Sequence, residues 1–157
     1  MRNIFTPAVI AFVLILDRAA KYLALNYLVP KPLKITSFLK LTYVENTGVA
    51  FGMFRNQNAV FLALSAALVA GLLFARKKLA AHGPAAELGL ALVLGGALGN
   101  IYDRVAYGFV VDFFDLSFFP AVFNVGDSAI TVGACLLAWG MRKEQPQVTG
   151  LRSHAGD

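Results

Sequence analysis

The chain has 157 residues, of which 58% are hydrophobic and 15% charged, with a net charge of +5 and a mean hydropathy of +0.65. Soluble domains carry about 45–50% apolar and about 25% charged residues, and a chain this small has too little interior to hide the excess from water. The balance excludes disorder, a fibrous repeat and, because the cations are scattered, a nucleic-acid module; it predicts lipid as part of the solvent.

A spanning helix needs about 20 mainly apolar residues, and four segments qualify, at about 5–28, 59–75, 84–102 and 119–141. The first is interrupted by Asp17, Arg18 and Lys21. Its opening resembles a secretory leader. The apolar pattern runs on past Tyr22 without a clear cleavage site, so a retained span is expected. Asp17 and Lys21 are four apart, on one helix face, and are expected to form a structural ion pair. The connection that follows, 29–57, contains an alternating β-branched stretch at 34–44, the pattern of strands at a membrane surface.

The second segment carries no charge, and a short basic loop, Arg76–Gly83 with Lys77 and Lys78, follows it. Ala63, Ala67 and Gly71, and again Ala91, Gly95 and Gly99, are spaced four apart, as in helices that approach closely in lipid. The third segment ends in Asn100-Ile-Tyr-Asp103-Arg104. An aromatic loop with Asp112 and Asp115 comes next, and Phe123-Asn124-Val-Gly-Asp127 opens the fourth. Residues 144–157 read as a polar tail outside a single domain at 1–143. Arg2, Arg76, Lys77, Lys78, Arg142, Lys143 and Arg152 fall on one side of such a bundle; Lys31, Lys34, Lys40 and Arg55 fall on the other, with Arg104 at its boundary. The positive-inside rule then puts both termini in the cytoplasm.

Carboxylates at membrane depth are costly and mark function. Asp103, Asp112, Asp115 and Asp127 are expected in one layer at the outer face. Asp103 and Asp115 suit helix capping or pairing with Arg104. Asp127 has no cation within ten residues and needs a tertiary partner, for which Asp112 is the choice. Two close carboxyl groups in a dry site share a proton and can act as general acid and base on a peptide bond. The single Cys135 rules out an internal disulfide or a cysteine metal cluster, and His82 and His154 are expected to be solvated, so no metal and no cofactor is anticipated. A proton-coupled transporter using the same acids and a non-enzymatic membrane scaffold are the competing readings.

The series Asp17-Arg-Ala-Ala-Lys21, Val44-Glu-Asn46-Thr-Gly48-Val-Ala50-Phe51-Gly52, Gly95 to Arg104, Gly108-Phe-Val-Val-Asp112-Phe and Phe123-Asn124-Val-Gly-Asp127, in this order and spacing, resembles the bacterial lipoprotein signal peptidases (signal peptidase II). The resemblance implies an all-α membrane protein of four transmembrane helices with a small periplasmic β element and a surface helix. It implies a monomeric aspartyl endopeptidase of the bacterial inner membrane, active at its periplasmic face, with the bilayer and diacylglyceryl-prolipoproteins as partners. Such an enzyme removes the signal peptide by cleaving before the lipidated cysteine. It implies Asp112 and Asp127 as catalytic, Asn46, Gly48, Asn100, Arg104 and Asn124 as lining or bracing the substrate site, and Asp17 with Lys21 as structural. Gly126, Ala20 and Arg18 depart from the family's usual residues; Gly126 raises the question of helix rigidity beside Asp127.

Overall fold

The computed structural model describes residues 4–48 and 57–142. The expected tail at 144–157, the motif residues Ala50, Phe51 and Gly52, and the cations Arg2, Arg55, Lys143 and Arg152 lie outside them. Four long helices form: α1 (Phe5–Tyr27), α2 (Asn58–Ala80), α3 (Pro84–Ala106) and α4 (Val125–Arg142). A three-stranded antiparallel sheet joins them, β1 (Leu33–Lys34), β2 (Leu39–Asn46) and β3 (Val110–Leu116), in the order β1-β2-β3. The sheet corrects two expectations. Its third strand comes from 110–116, read as loop from the sequence, and residues 119–124 are not helical, so α4 begins at Val125. The described residues between α1 and α2 contain no surface helix; 49–56 lie outside the description.

The packing is inverted relative to a protein in water. The buried face of α1 is Val13, Asp17, Lys21 and Ala24, while Phe12, Ile15, Leu16, Tyr22 and Leu23 are exposed. Charges turn inward and apolar side chains outward, as expected where the surrounding medium is hydrocarbon. α2 is the extreme case: its most apolar stretch has a mean hydropathy of 2.2 and is only 6% buried. By length and composition α2 and α3 can each cross a membrane.

α3 is the central helix and touches the other three. It starts with Pro84 in its first turn after Gly83 at φ 101°, a start suited to proline's fixed φ and missing N–H. Three faces of α3 serve three neighbours. Leu90, Leu94 and Ala97 cluster with Val69 of α2. Gly95 and Gly99 lie against α1, where an added Cβ would stand 2.8 Å from Val13 Cβ and 2.5 Å from Asp17 Oδ2. Gly89 and Gly96 lie against α4, whose buried positions are Gly126, Gly133 and Gly140, seven apart. The Ala91/Gly95/Gly99 spacing therefore marks a real contact. The Ala63/Ala67/Gly71 spacing does not: these residues face outward, and nothing lies within 4 Å of a Cβ at Gly71.

Gly126 belongs to this seam. A Cβ there would meet the Gly96 carbonyl oxygen at 3.0 Å and two asparagine oxygens at 3.1 and 3.2 Å. Its missing side chain lets α4 close on α3 beside the polar site. At Gly96 a Cβ would run into the Gly126 carbonyl oxygen, a backbone atom that cannot swing away. Gly96→Ala is therefore expected to lower stability by about 1–3 kcal/mol, the usual range for overpacking, measured by thermal unfolding in detergent; an unchanged melting temperature would show that the seam is loose.

Candidate active site

The polar site forms where β2, β3, the end of α3 and the start of α4 meet. β3 follows α3 through a turn at Gly108, φ 81°, and Asp103 Oδ2 on α3 accepts the backbone N–H of Val111 at 3.2 Å. β3 is then clamped to the start of α4. The Phe113 and Phe114 amides both donate to the Phe123 carbonyl, and the Phe123 amide donates back to Phe114. This small ladder delivers Asp112 to Asn124 and Asp127.

Asn124 caps α4, its Oδ1 accepting the Asp127 amide at 2.9 Å while Asp127 Oδ2 accepts the Asn124 amide at 3.2 Å. The two residues form a reciprocal capping box across the first turn. Asp127 thus has a local partner that its chain neighbourhood did not suggest. Asn124 Nδ2 donates to Asp112 Oδ1 at 2.6 Å, so one asparagine touches both acids. Asp112 faces Val44 in the β2–β3 register, and Asn46 lies two residues along the same face. From there Asn46 Nδ2 reaches Asp112 Oδ2 at 2.8 Å, its amide orientation set by Oδ1 accepting the Gly48 N–H.

Asn100 is the second bridge. Its Nδ2 donates to Asp127 Oδ1 at 2.8 Å, and its Oδ1 accepts from Lys21 Nζ at 2.8 Å and from Asn124 Nδ2 at 3.3 Å. An ammonium can only donate, so Lys21 fixes which end of the Asn100 amide faces Asp127. The Asp17–Lys21 pair is present at 2.9 Å and belongs to a larger network. Asp103 pairs with Lys21 at 2.8 Å and with Arg18 at 2.6 Å. Asp17 Oδ1 accepts the Gly126 N–H at 2.9 Å, anchoring the N-terminus of α4 to α1. Arg18 also lies 4.7 Å from the centre of the Tyr102 ring.

Two expectations are corrected here. Asp103 pairs with α1 and not with Arg104, because its side chain points to the α1 side of α3, toward Arg18 and Lys21. Asp115 does not join the acidic layer; it sits three residues along β3 and pairs with Lys40, directly opposite in the sheet, at 2.8 Å. Arg104 lies with its guanidinium 5.8 Å from the Phe61 ring centre, and its buried Nε has no hydrogen-bond partner among the described residues. Gly48, at φ 133°, packs where a Cβ would strike the same Phe61 ring. Phe61, Asn58 (whose Nδ2 holds the Arg104 carbonyl at 3.1 Å) and the Asp17–Gly126 anchor are not among the residues that the sequence singles out for these roles. The seven-residue glycine spacing on α4 was the available signal for the seam. Nothing in the chain's pattern signalled the other three.

Asp112 is buried, and Asp127 is half-buried beside an apolar groove lined by Phe119, Phe123 and Val132. Burial pushes the Asp112 carboxyl up to about 7, and the nearby charge of Asp127 adds to the rise, against hydrogen bonds from Asn46 and Asn124 and the charge of Lys21. A carboxyl group in this condition holds a proton near neutrality, as a general acid must. No cluster of three or more metal-ligating side chains occurs among the described residues.

The signal peptidase II family profile matches residues 9–143. The chain belongs to the signal peptidase II family. Members are aspartic peptidases that work in membranes. The lipoprotein signal peptidase of Caldanaerobacter subterraneus subsp. tengcongensis is 47% identical over 136 residues, covering 85% of this chain and 92% of the relative. That of Moorella thermoacetica is 43% identical over 130 residues, covering 81% and 85%. A solved bacterial membrane enzyme superposes with a TM-score of 0.83 at 27% identity, covering 92% of both chains. The helices and sheet described above are thus shared with solved membrane enzymes, and signal peptidase II membership extends over both acidic motifs.

Proposed function

We propose that this chain is a lipoprotein signal peptidase whose catalytic pair is Asp112 and Asp127. The observation that carries the reading is the convergence of both acids on one residue: Asn124 touches Asp112 and Asp127, while Asn100 ties Asp127 to Lys21. In this reading all four helices span the bilayer, residues 1–143 form one monomeric domain, and both termini are cytoplasmic. Arg76, Lys77, Lys78 and Arg142 then gather at one end of the bundle and the sheet with the aspartates lies at the periplasmic end. The substrate is a diacylglyceryl-modified prolipoprotein, cut just before its lipidated cysteine.

The chemistry follows from one shared proton. The ionised Asp127 takes a proton from water as the water oxygen bonds to the scissile carbonyl carbon, and Asp112 donates its proton to the carbonyl oxygen. In the second step Asp127 gives its proton to the departing nitrogen, Asp112 takes one back from a hydroxyl of the tetrahedral intermediate, the carbon–nitrogen bond breaks to leave a carboxylic acid and an amine, and the pair returns to its starting state. Arg104, with donors still free, stabilises the developing oxyanion. Asn46 and Gly48 hold the β2 end against Asp112, and the apolar groove beside Asp127 takes lipid or signal-peptide side chains. Acyl chains retained in the bilayer confine the substrate to the same edge, which lowers the cost of bringing it to the acids.

The pH dependence tests the roles. With Asp112 as the acid, activity falls as pH rises through its pKa, so the alkaline limb lies near pH 7. Asn46 stabilises the ionised form of Asp112; its loss in Asn46→Leu raises that pKa and moves the alkaline limb upward by roughly 1 pH unit. A pH–rate profile on a lipidated peptide in detergent measures it, and a downward shift contradicts the assignment. A transporter using the same acids would require a proton gradient, which cleavage in detergent does not.

A further inference from the structure

At the end of the bundle remote from the aspartates, a cavity of about 590 Å³ opens between α1, α2 and α3. Its α3 lining, Leu90 and Leu94, lies ten and six residues from Asn100 on the same helix, about 15 and 9 Å at ~1.5 Å per residue, and the lining includes no residue of the polar site. The cavity has a divided lining. Ile10, Leu73, Leu90 and Leu94 give it apolar walls, and Arg76 and Lys77 stand at the mouth. Neither cation has a carboxylate partner among the described residues. Glu87 on α3 does not line the cavity and accepts a hydrogen bond from the lining residue Thr6, Oγ1 to Oε1, at 2.7 Å. Phe74, adjoining on α2, is 94% exposed and Leu73 46%, so the apolar side faces the surrounding medium.

We propose that this cavity is a binding site for an anionic phospholipid, its headgroup phosphate held by Arg76 and Lys77 and the upper part of an acyl chain lying against Ile10, Leu73 and Leu94. Charge complementarity selects the headgroup: two cations with no carboxylate partner among the described residues, over an apolar cleft at a helix-bundle end, match a phosphate carried on a hydrocarbon chain, the pairing known for basic pockets between membrane helices. A zwitterionic lipid brings its own cation and gains less. A water-soluble phosphate gains nothing from the apolar walls. The site is independent of the peptidase reading, since none of its residues reaches Asp112 or Asp127.

Native mass spectrometry of the full chain, released from detergent with added dioleoylphosphatidylglycerol or dioleoylphosphatidylcholine, tests the proposal. The expected result is a retained one-to-one phosphatidylglycerol adduct on the wild type and a much weaker phosphatidylcholine adduct. Arg76→Gln with Lys77→Gln is expected to weaken phosphatidylglycerol binding roughly thirtyfold. Lys31→Gln with Lys34→Gln removes the same charge at the sheet end and is expected to leave it unchanged. Leu73→Trp, which fills the cleft and keeps both cations, is expected to weaken it roughly tenfold, and the charge-conserving Arg76→Lys with Lys77→Arg to retain it. Equal retention of the two lipids, equal loss in both charge-removing pairs, or full displacement by glycerol 3-phosphate at equal concentration would overturn the proposal.

Discussion

Asp112→Asn and Asp127→Asn are each expected to reduce cleavage of a diacylglyceryl-modified prolipoprotein by roughly 10³-fold or more, since acid–base catalysis contributes about 10²–10⁴-fold per group and the two acids act as a unit. An amide neither accepts the water proton nor supplies one at neutral pH. The substitution is nearly isosteric but turns one accepting oxygen into an NH2 that faces a donor, Asn46 or Asn124 at position 112 and Asn100 or the Asn124 amide at position 127; the lost hydrogen bond is expected to cost about 1–3 kcal/mol, with the folded protein persisting. The double variant should be little worse than either single one. Cleavage of a purified lipidated substrate in detergent, followed by mass shift, gives the measurement; full activity in either single variant would sink the pair.

Lys21→Met should produce the largest loss of stability of any single change, about 3–5 kcal/mol, the range for breaking a buried ion pair from one side. Lys21 is 1% exposed and holds Asp17 at 2.9 Å, Asp103 at 2.8 Å and Asn100 at 2.8 Å. Removing the ammonium leaves two acids with only Arg18, whose side chain is 28% exposed, to balance them. It also frees the Asn100 amide to turn its oxygen toward Asp127. Activity should therefore fall even in the fraction that stays folded. Asp115→Asn, which breaks a surface pair with Lys40, is the contrasting control, expected to cost no more than about 1 kcal/mol. Unfolding in denaturant, with both variants side by side, separates the two cases.

The helices were legible because a run of apolar side chains in lipid leaves the backbone few alternatives to internal hydrogen bonding. The starts of α1, α2 and α3 fall within a residue of those expected; α3 runs four residues longer and α2 five, so Arg76, Lys77 and Lys78, expected in a loop, lie in the end of the helix. The start of α4 was placed six residues early because Phe119, Ala121, Val122 and Phe123 continue the apolar count. Hydropathy does not distinguish these residues from helix; the Phe114–Phe123 bridge does, by using the Phe123 backbone for the sheet. β3 was missed for a related reason, since Val110, Val111, Phe113 and Phe114 read as an aromatic loop until β2 is beside them.

The chemistry divides in the same way. Residue type and position along the chain were enough to single out Asp112 and Asp127, because an acid inside an apolar run is costly wherever the chain takes it, and to place Asp17 with Lys21, because a helix turns once in 3.6 residues. Which acid meets which cation was settled only by tertiary packing. Asp103 adjoins Arg104 in the chain yet pairs with Lys21 and Arg18 some eighty residues away, and Asp115 pairs across a sheet with Lys40. The direction in which a side chain leaves its helix or strand, and the glycine seam that lets α3 and α4 close to backbone contact, depend on neighbours remote in sequence; local spacing carries no record of them.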